Sequence, residues 1–179
     1  MLETERLILR NFRESDLEDF IELTSNKKVC EMCNWPYFVD KEILKCSLIA
    51  QTDKPLHFAI VLKQENKVVG AIELLKCEEE TTKESAFMLN ESFWCKGIMT
   101  EALNLIVDYA FNNLNIETLI GGYFEGNELS FNVQAKVGFK KVEGIEKYSN
   151  KNLIRLKITK DDYKKGHIWQ GKQKIKNEF

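Results

Sequence analysis

The chain has 179 residues, 44% of them hydrophobic and 30% charged, with a formal net charge of -2. That is enough apolar material for a folded core, which excludes global disorder, and 26 basic against 28 acidic residues leave no cationic surplus for gripping a nucleic-acid backbone. Apolar runs such as FAIVL at 58–62 fall far short of the roughly 20 residues that span a bilayer, and MLETERLILR carries acids where a secretory leader has a basic head. We therefore expect a soluble, cytoplasmic protein with neither nucleic acid nor membrane among its partners. The five cysteines are odd in number and spread out, which fits free thiols in a reducing compartment. Cys30 and Cys33 form one C-x-x-C, but with only His57 and His167 available a four-ligand zinc site is not supported. No metal is expected.

In chain order, the alternation at 6–10 predicts a strand. Ser15 is placed to cap a helix carrying Leu17, Phe20, Ile21 and Leu23. Pro36 breaks the pattern over 30–38, so a loop or a short helical turn is expected there. A second helix follows Asp40, with Ile43, Leu44, Leu48 and Ile49 on one side. Residues 57–75 read as a hairpin around the polar turn at 64–67, and 84–90 as a further strand. Ile98, Ala102, Leu105, Ile106, Tyr109 and Ala110 mark a long helix. A strand at 117–124 follows, then a helix capped by Asn127 with Leu129, Val133 and Val137 inward and Gly138 as its C-terminal glycine. Two more strands are expected at 139–142 and 152–159. The strand–helix–strand unit from 84 to 124 should be a right-handed crossover between parallel strands. The tail, 164–179, is polar and basic, and no structure is assigned to it.

The most informative stretch is 84–102. A strand ends, a short loop holds Lys96 and Gly97, and a helix begins near Ile98. The first turn of a helix has amides without internal partners, and its dipole adds partial positive charge. A glycine at the entry lets an anion come close to the backbone, and Lys96 adds a full charge. The spacing is equally that of a plain tight turn.

Here the sequence resembles a family. WCKGIMTEALNLIVDYAF is similar to the acyl-CoA-binding segment of the GNAT N-acetyltransferases, in particular the ribosomal-protein N-acetyltransferase branch. TERLILR (4–10) resembles that branch's opening strand. ESAFMLNESFWCKG resembles its fourth strand and pyrophosphate loop, GNELSFNVQAKVGFKKVEG (126–144) a stretch near its end, and 153–163 its closing strand. The colinear match spans about 1–163. It implies a single α+β domain over 1–163: a mostly antiparallel twisted sheet of about seven strands, flanked by helices, whose fourth and fifth strands splay apart as a parallel pair. Acetyl-CoA is the implied acetyl donor. Carried over by position, Phe87, Met88 and Leu89 offer backbone groups to pantetheine, where an N–H polarises the thioester. The amides of Cys95, Lys96, Gly97, Ile98, Met99 and Thr100 hold the pyrophosphate, and Asn127 and Ser130 lie near pantetheine and sulfur. Independently of the resemblance, Gly121 and Gly122 in a strand hint at close approach of a ligand. The chain departs from the family at Cys95 and Met99, where small residues are usual, and at Gln134, where many members carry a tyrosine acid.

Acetyl transfer to nitrogen needs an uncharged amine, so a base or water chain must deprotonate it. The resemblance makes Glu84 the first candidate. Glu73, alone in an apolar strand, is the second, since a carboxylate there must face solvent or a cleft; Glu101 fits the helix dipole better. Ser130 is the candidate partner for the leaving sulfur. Trp35 and Tyr37 are candidates to line the acceptor's site. The expectation is direct acetyl transfer to a primary amine, a peptide N-terminus or a small molecule, by a monomer or homodimer; the rival is a silent acyl-CoA-binding module.

Overall fold

The computed structural model describes residues 1–148, 150–166 and 174–175. The chain divides into two compact units, one built mainly of 1–73 and 87–98, the other of 74–86 and 99–166.

In the first unit, β1 (Leu2–Glu3), β2 (Leu7–Arg10), β3 (His57–Leu62) and β4 (Lys67–Lys76, its last residues in the other unit) pair antiparallel in sequence order. Three helices are inserted between β2 and β3: α1 (Leu17–Thr24), α2 (Lys27–Cys33) and α3 (Lys41–Thr52). Asn26 accepts from the amides of Lys28 and Val29, and Asp40 from those of Glu42 and Ile43, each cap stabilising its helix by about 1 kcal/mol. The helices and strands share one apolar cluster that includes Phe12, Phe20, Leu23, Leu48, Val61, Val68 and Met88.

The second unit holds the start of β5 (Thr82–Leu89), most of α4 (Ile98–Asn113), β6 (Thr118–Phe124), α5 (Glu128–Val137), β7 (Lys140–Lys141), β8 (Glu146–Tyr148), β9 (Lys151–Thr159) and α6 (Lys160–Gly166). Strand β6 runs parallel to β5 and antiparallel to β9, which also takes β7 and β8. The class is the expected α+β, mostly antiparallel with one parallel pair joined through α4. The hydroxyl of Tyr163 in α6 donates to Asp108 of α4, and its ring packs on Phe111.

Several elements differ from expectation. Residues 30–33 end helix α2; Pro36 lies beyond it, and the left-handed Asn34 (φ 53°) is what terminates the helix. Ser15 falls within a 3-10 turn, and Asp16 does the capping work, taking the Arg13 amide and the Arg10 guanidinium. Ile43, Ile49 and Leu129 face solvent, while Leu44, Leu48 and Gln134 are buried. Ten strands occur among the described residues. The three beyond expectation, β1, β8 and β10 (Lys174–Ile175, paired with β1), have only two or three residues each, too few to show a period. The tail reading of 164–179 falls largely outside the described residues.

Candidate active site

Strand β5 offers its two edges unequally. The Asn90 amide just beyond it donates to Val69 of β4, so residue 90 turns its backbone groups toward β4. By alternation Met88 does the same, which corrects the expectation that its backbone faces pantetheine, and Phe87 and Leu89 present theirs to the other edge. The register with β6 covers only Thr82 to Glu84. Further along, side chains rather than a strand meet that edge: the Trp94 indole donates to the Leu89 carbonyl at 2.8 Å, and the Cys33 thiol to the Phe87 carbonyl at 3.6 Å. Carbonyls are thus occupied there, and the N–H groups of Phe87 and Leu89 have no partner in the β6 register.

The loop into α4 is built on two left-handed residues, Cys95 (φ 59°) and Gly97 (φ 76°). For a residue with a Cβ this conformation costs roughly 1–2 kcal/mol, which is the physical reason glycine suits position 95 better. Ile98 and Met99 are buried, so Met99 sends its bulk into the core and contributes only backbone to the helix end. Cys95, Lys96 and Gly97 are exposed. Two cations attend the turn. Lys96 lies 5.1 Å over the Phe93 ring, and the Arg6 guanidinium donates to the Lys96 carbonyl at 3.4 Å. A Cβ on Gly97 would lie 3.7 Å from that same guanidinium. Nothing in sequence order links Arg6 to position 96; the turn after β1 brings it there.

In the second unit, Glu84 lies opposite Ile120 in the parallel pair. One of its oxygens takes Arg155 Nη1, and Arg155 Nε donates to Glu146 at 2.9 Å. Burial works to lower the Arg155 pKa, but the hydrogen bonds and charges of Glu84 and Glu146 prevail and raise it. The other Glu84 oxygen accepts nothing among the described residues. Burial, followed by the charge of Glu84, pushes the Cys77 thiol up.

Asn127 caps α5 by accepting from the Ser130 amide at 3.1 Å. One turn on, Gln134 is wholly buried, and its amide nitrogen reaches the Gly122 carbonyl at 2.9 Å and the Ser130 hydroxyl at 3.1 Å. A Cβ on Gly121 would stand 2.0 Å from Gln134 Oε1, and one on Gly122 would press on Leu153 at 3.1 Å. Both glycines therefore make room for protein, which corrects the sequence reading that they admit a ligand.

Residues 6–140 match the family model of the acetyltransferase (GNAT) domain. The chain belongs to the GNAT acetyltransferase family. It is 27% identical over 138 residues to the uncharacterized N-acetyltransferase YnaD of Bacillus subtilis, covering 77% of this chain and 81% of that one. A GNAT-family acetyltransferase from Bacillus anthracis superposes with a TM-score of 0.82 at 26% identity, over 90% of this chain and 99% of that one. The ribosomal-protein-S5-alanine acetyltransferase of Vibrio fischeri shares the fold, with a TM-score of 0.73 at 23% identity over 90% and 97% of the two chains. The protein is an N-acetyltransferase, and acetyl-CoA is the family's acyl donor.

Other residues of this GNAT enzyme take contrasting positions. Trp35 packs against the core of the first unit, whereas Tyr37 is largely exposed on the loop before α3. Glu73 is ion-paired with Lys54 and stands across the sheet from His57. Burial is the main cause that brings His57 down to about 4, so it is neutral at physiological pH. Glu101 lies in the first turn of α4, as expected. All five cysteines are free. Among the described residues no helix is long and apolar enough to cross a membrane.

Proposed function

We propose that this GNAT enzyme transfers acetyl from acetyl-CoA to a primary amine, a peptide N-terminus or a small-molecule amine, by direct attack in a ternary complex. The observation that carries the donor assignment is the turn at Cys95 and Gly97. Its left-handed backbone, the helix end behind it and the cations Lys96 and Arg6 suit a diphosphate. The amides of Cys95, Lys96, Gly97, Ile98, Met99 and Thr100 hold that group, the last three from the first turn of α4. The outward N–H groups of Phe87 and Leu89 take pantetheine and thioester carbonyls, and the Phe87 N–H is the donor for the developing oxyanion. Met88 supports them from the β4 side. Asn127 and Ser130 serve the cysteamine end.

On the acceptor side, Trp35 and Tyr37 line the approach and Glu84 receives the ammonium's proton, directly or through water. The neutral nitrogen bonds to the acetyl carbon, the C–S bond breaks with its electron pair on sulfur, and the nitrogen loses a second proton as the thiolate gains one. One proton is released per turnover. The five free cysteines support a reducing, cytoplasmic setting, and the enzyme works as a monomer or homodimer.

The test is release of free thiol from acetyl-CoA in the presence of peptides and small amines. Acceptor-dependent thiol with acetylated product supports the reading. Donor binding without thiol release on any acceptor points to a silent acyl-CoA-binding module.

A further inference from the structure

Gln134 has no exposed surface, yet it carries a full amide. Its nitrogen has two hydrogens and finds three oxygens: Gly122 O at 2.9 Å, Ser130 Oγ at 3.1 Å and Ser130 O at 3.3 Å. Its oxygen lies over Gly121 and has no hydrogen-bond partner among the described residues. Reversing the amide would set Oε1 against the Gly122 carbonyl, so the network fixes its orientation.

That orientation decides what Ser130 can do. A serine hydroxyl has one hydrogen to give and lone pairs to receive. Inside a helix a serine often gives that hydrogen to the carbonyl four residues back, but Ser130 is the third residue of α5 and has no earlier helical turn to bond. Here Gln134 donates into Oγ, and the Ser130 hydroxyl hydrogen meets no acceptor among the described residues. The side chain is half-buried, so its donor remains available to a ligand. A carboxylate at 134 would draw the hydroxyl hydrogen inward, and a thioether would leave it undirected. Glutamine is the side chain of this length that fills the acceptor side of Oγ and leaves the donor side open. Gly121 belongs to the same device, because any larger residue would collide with the amide.

We infer that Gln134 is a positioning residue: by donating to Ser130 Oγ it holds that hydroxyl as a hydrogen-bond donor for the sulfur of the departing coenzyme A. The inference rests on the reading above that Ser130 serves the cysteamine end of the donor. The electron pair of the broken C–S bond becomes a thiolate, the Ser130 O–H stabilises that anion by a hydrogen bond, and solvent supplies the proton that completes the thiol.

The experiment compares Ser130→Ala, Gln134→Met, Gln134→Glu and Ser130→Ala/Gln134→Met in the full chain. It reads kcat, KM for acetyl-CoA, the melting temperature, and the pH titration of bound coenzyme A thiol by ultraviolet difference against desulfo-coenzyme A. Ser130→Ala and Gln134→Met should each lower kcat about tenfold, the worth of one hydrogen bond to an anion, with KM unchanged, and bound thiol should ionise at higher pH in both. The double variant should be no slower than Ser130→Ala. Gln134→Glu should be at least as slow as Gln134→Met. If Gln134→Met does not fold, Gly121→Ala displaces the same amide, and the thiol titration should shift in the same direction. Loss in Ser130→Ala with none in Gln134→Met, or full additivity in the double variant, overturns the role of Gln134 and leaves that of Ser130. An active Ser130→Ala with unshifted thiol titration overturns the Ser130 reading itself, and a wild-type chain that binds no coenzyme A overturns the donor assignment beneath both.

Discussion

In their proposed roles, the turn at Cys95–Gly97 and the network around Gln134 solve different problems with different parts of the chain. The turn works through main-chain amides, lies at the surface and spends conformational energy on a left-handed cysteine. The network works through side chains, is buried, and depends on the missing Cβ of Gly121. A site made of backbone tolerates changes of side chain as long as the dihedral angles hold, which is how a cysteine can occupy a position suited to glycine. A site made of side chains has no such latitude, since each partner sets the direction of the next hydrogen.

The strongest challenge to this contrast is to fill the turn. Gly97→Trp should abolish coenzyme A binding, by more than about a hundredfold, because φ 76° and the approach to the amides both demand glycine. Calorimetry measures the binding, and an unchanged far-ultraviolet spectrum with lost affinity is the expected pair. Binding retained by this variant would move the diphosphate elsewhere. Next, Glu84→Gln should keep a hydrogen bond to Arg155 but lose the proton acceptor, lowering kcat about a hundredfold near neutrality with donor affinity intact. An unaltered pH–rate profile would remove Glu84 from the chemistry.

A buried side chain should also carry a pH dependence that the surface turn lacks. Because His57 titrates at about 4 in the folded chain against 6.5 ordinarily, the unfolded chain binds a proton between those values and the native one does not. Stability should therefore fall as pH drops from about 6.5 to about 4, by roughly 3 kcal/mol in all, and His57→Leu should flatten that segment in urea titrations. Lys54 and Glu73, which face His57, remain in that variant, so the difference between the two curves isolates the imidazole. The smallest effect sharpens the comparison most. Cys95→Gly should relieve the left-handed strain, adding about 1 kcal/mol of stability and tightening coenzyme A a few-fold, while changing nothing in the pH–rate profile.

The longer elements were legible for two reasons: β3 and β4 are apolar, β-rich runs on either side of a polar turn, while β6 and α4 repeat their pattern long enough to declare themselves. Two-residue strands such as β1 cannot show a period, and they form only because a neighbour pairs with them. Helix α2 was hidden by Pro36, which acts three residues past its end. Within the candidate site, the turn at Lys96 and Gly97 and the helix start at Ile98 were readable since the signal is local. Arg6 was not, because its proximity to Lys96 comes from tertiary structure. Gln134 stood out in the sequence as a departure from the family, but what a buried amide does depends on which atoms surround it. Gly121 misled for the same reason: a glycine shows that something comes close, and only the fold shows that the visitor is Gln134.

The indole of Trp94 on the Leu89 carbonyl has a consequence beyond catalysis. An open strand edge invites pairing with any extended chain, the first step toward aggregation. On β5 the indole and the Cys33 thiol already engage two alternate carbonyls, so an incoming polypeptide would have to compete with them to continue its ladder. The same edge can thus stay receptive to a slender carbonyl-bearing molecule while turning away the segments of neighbouring proteins.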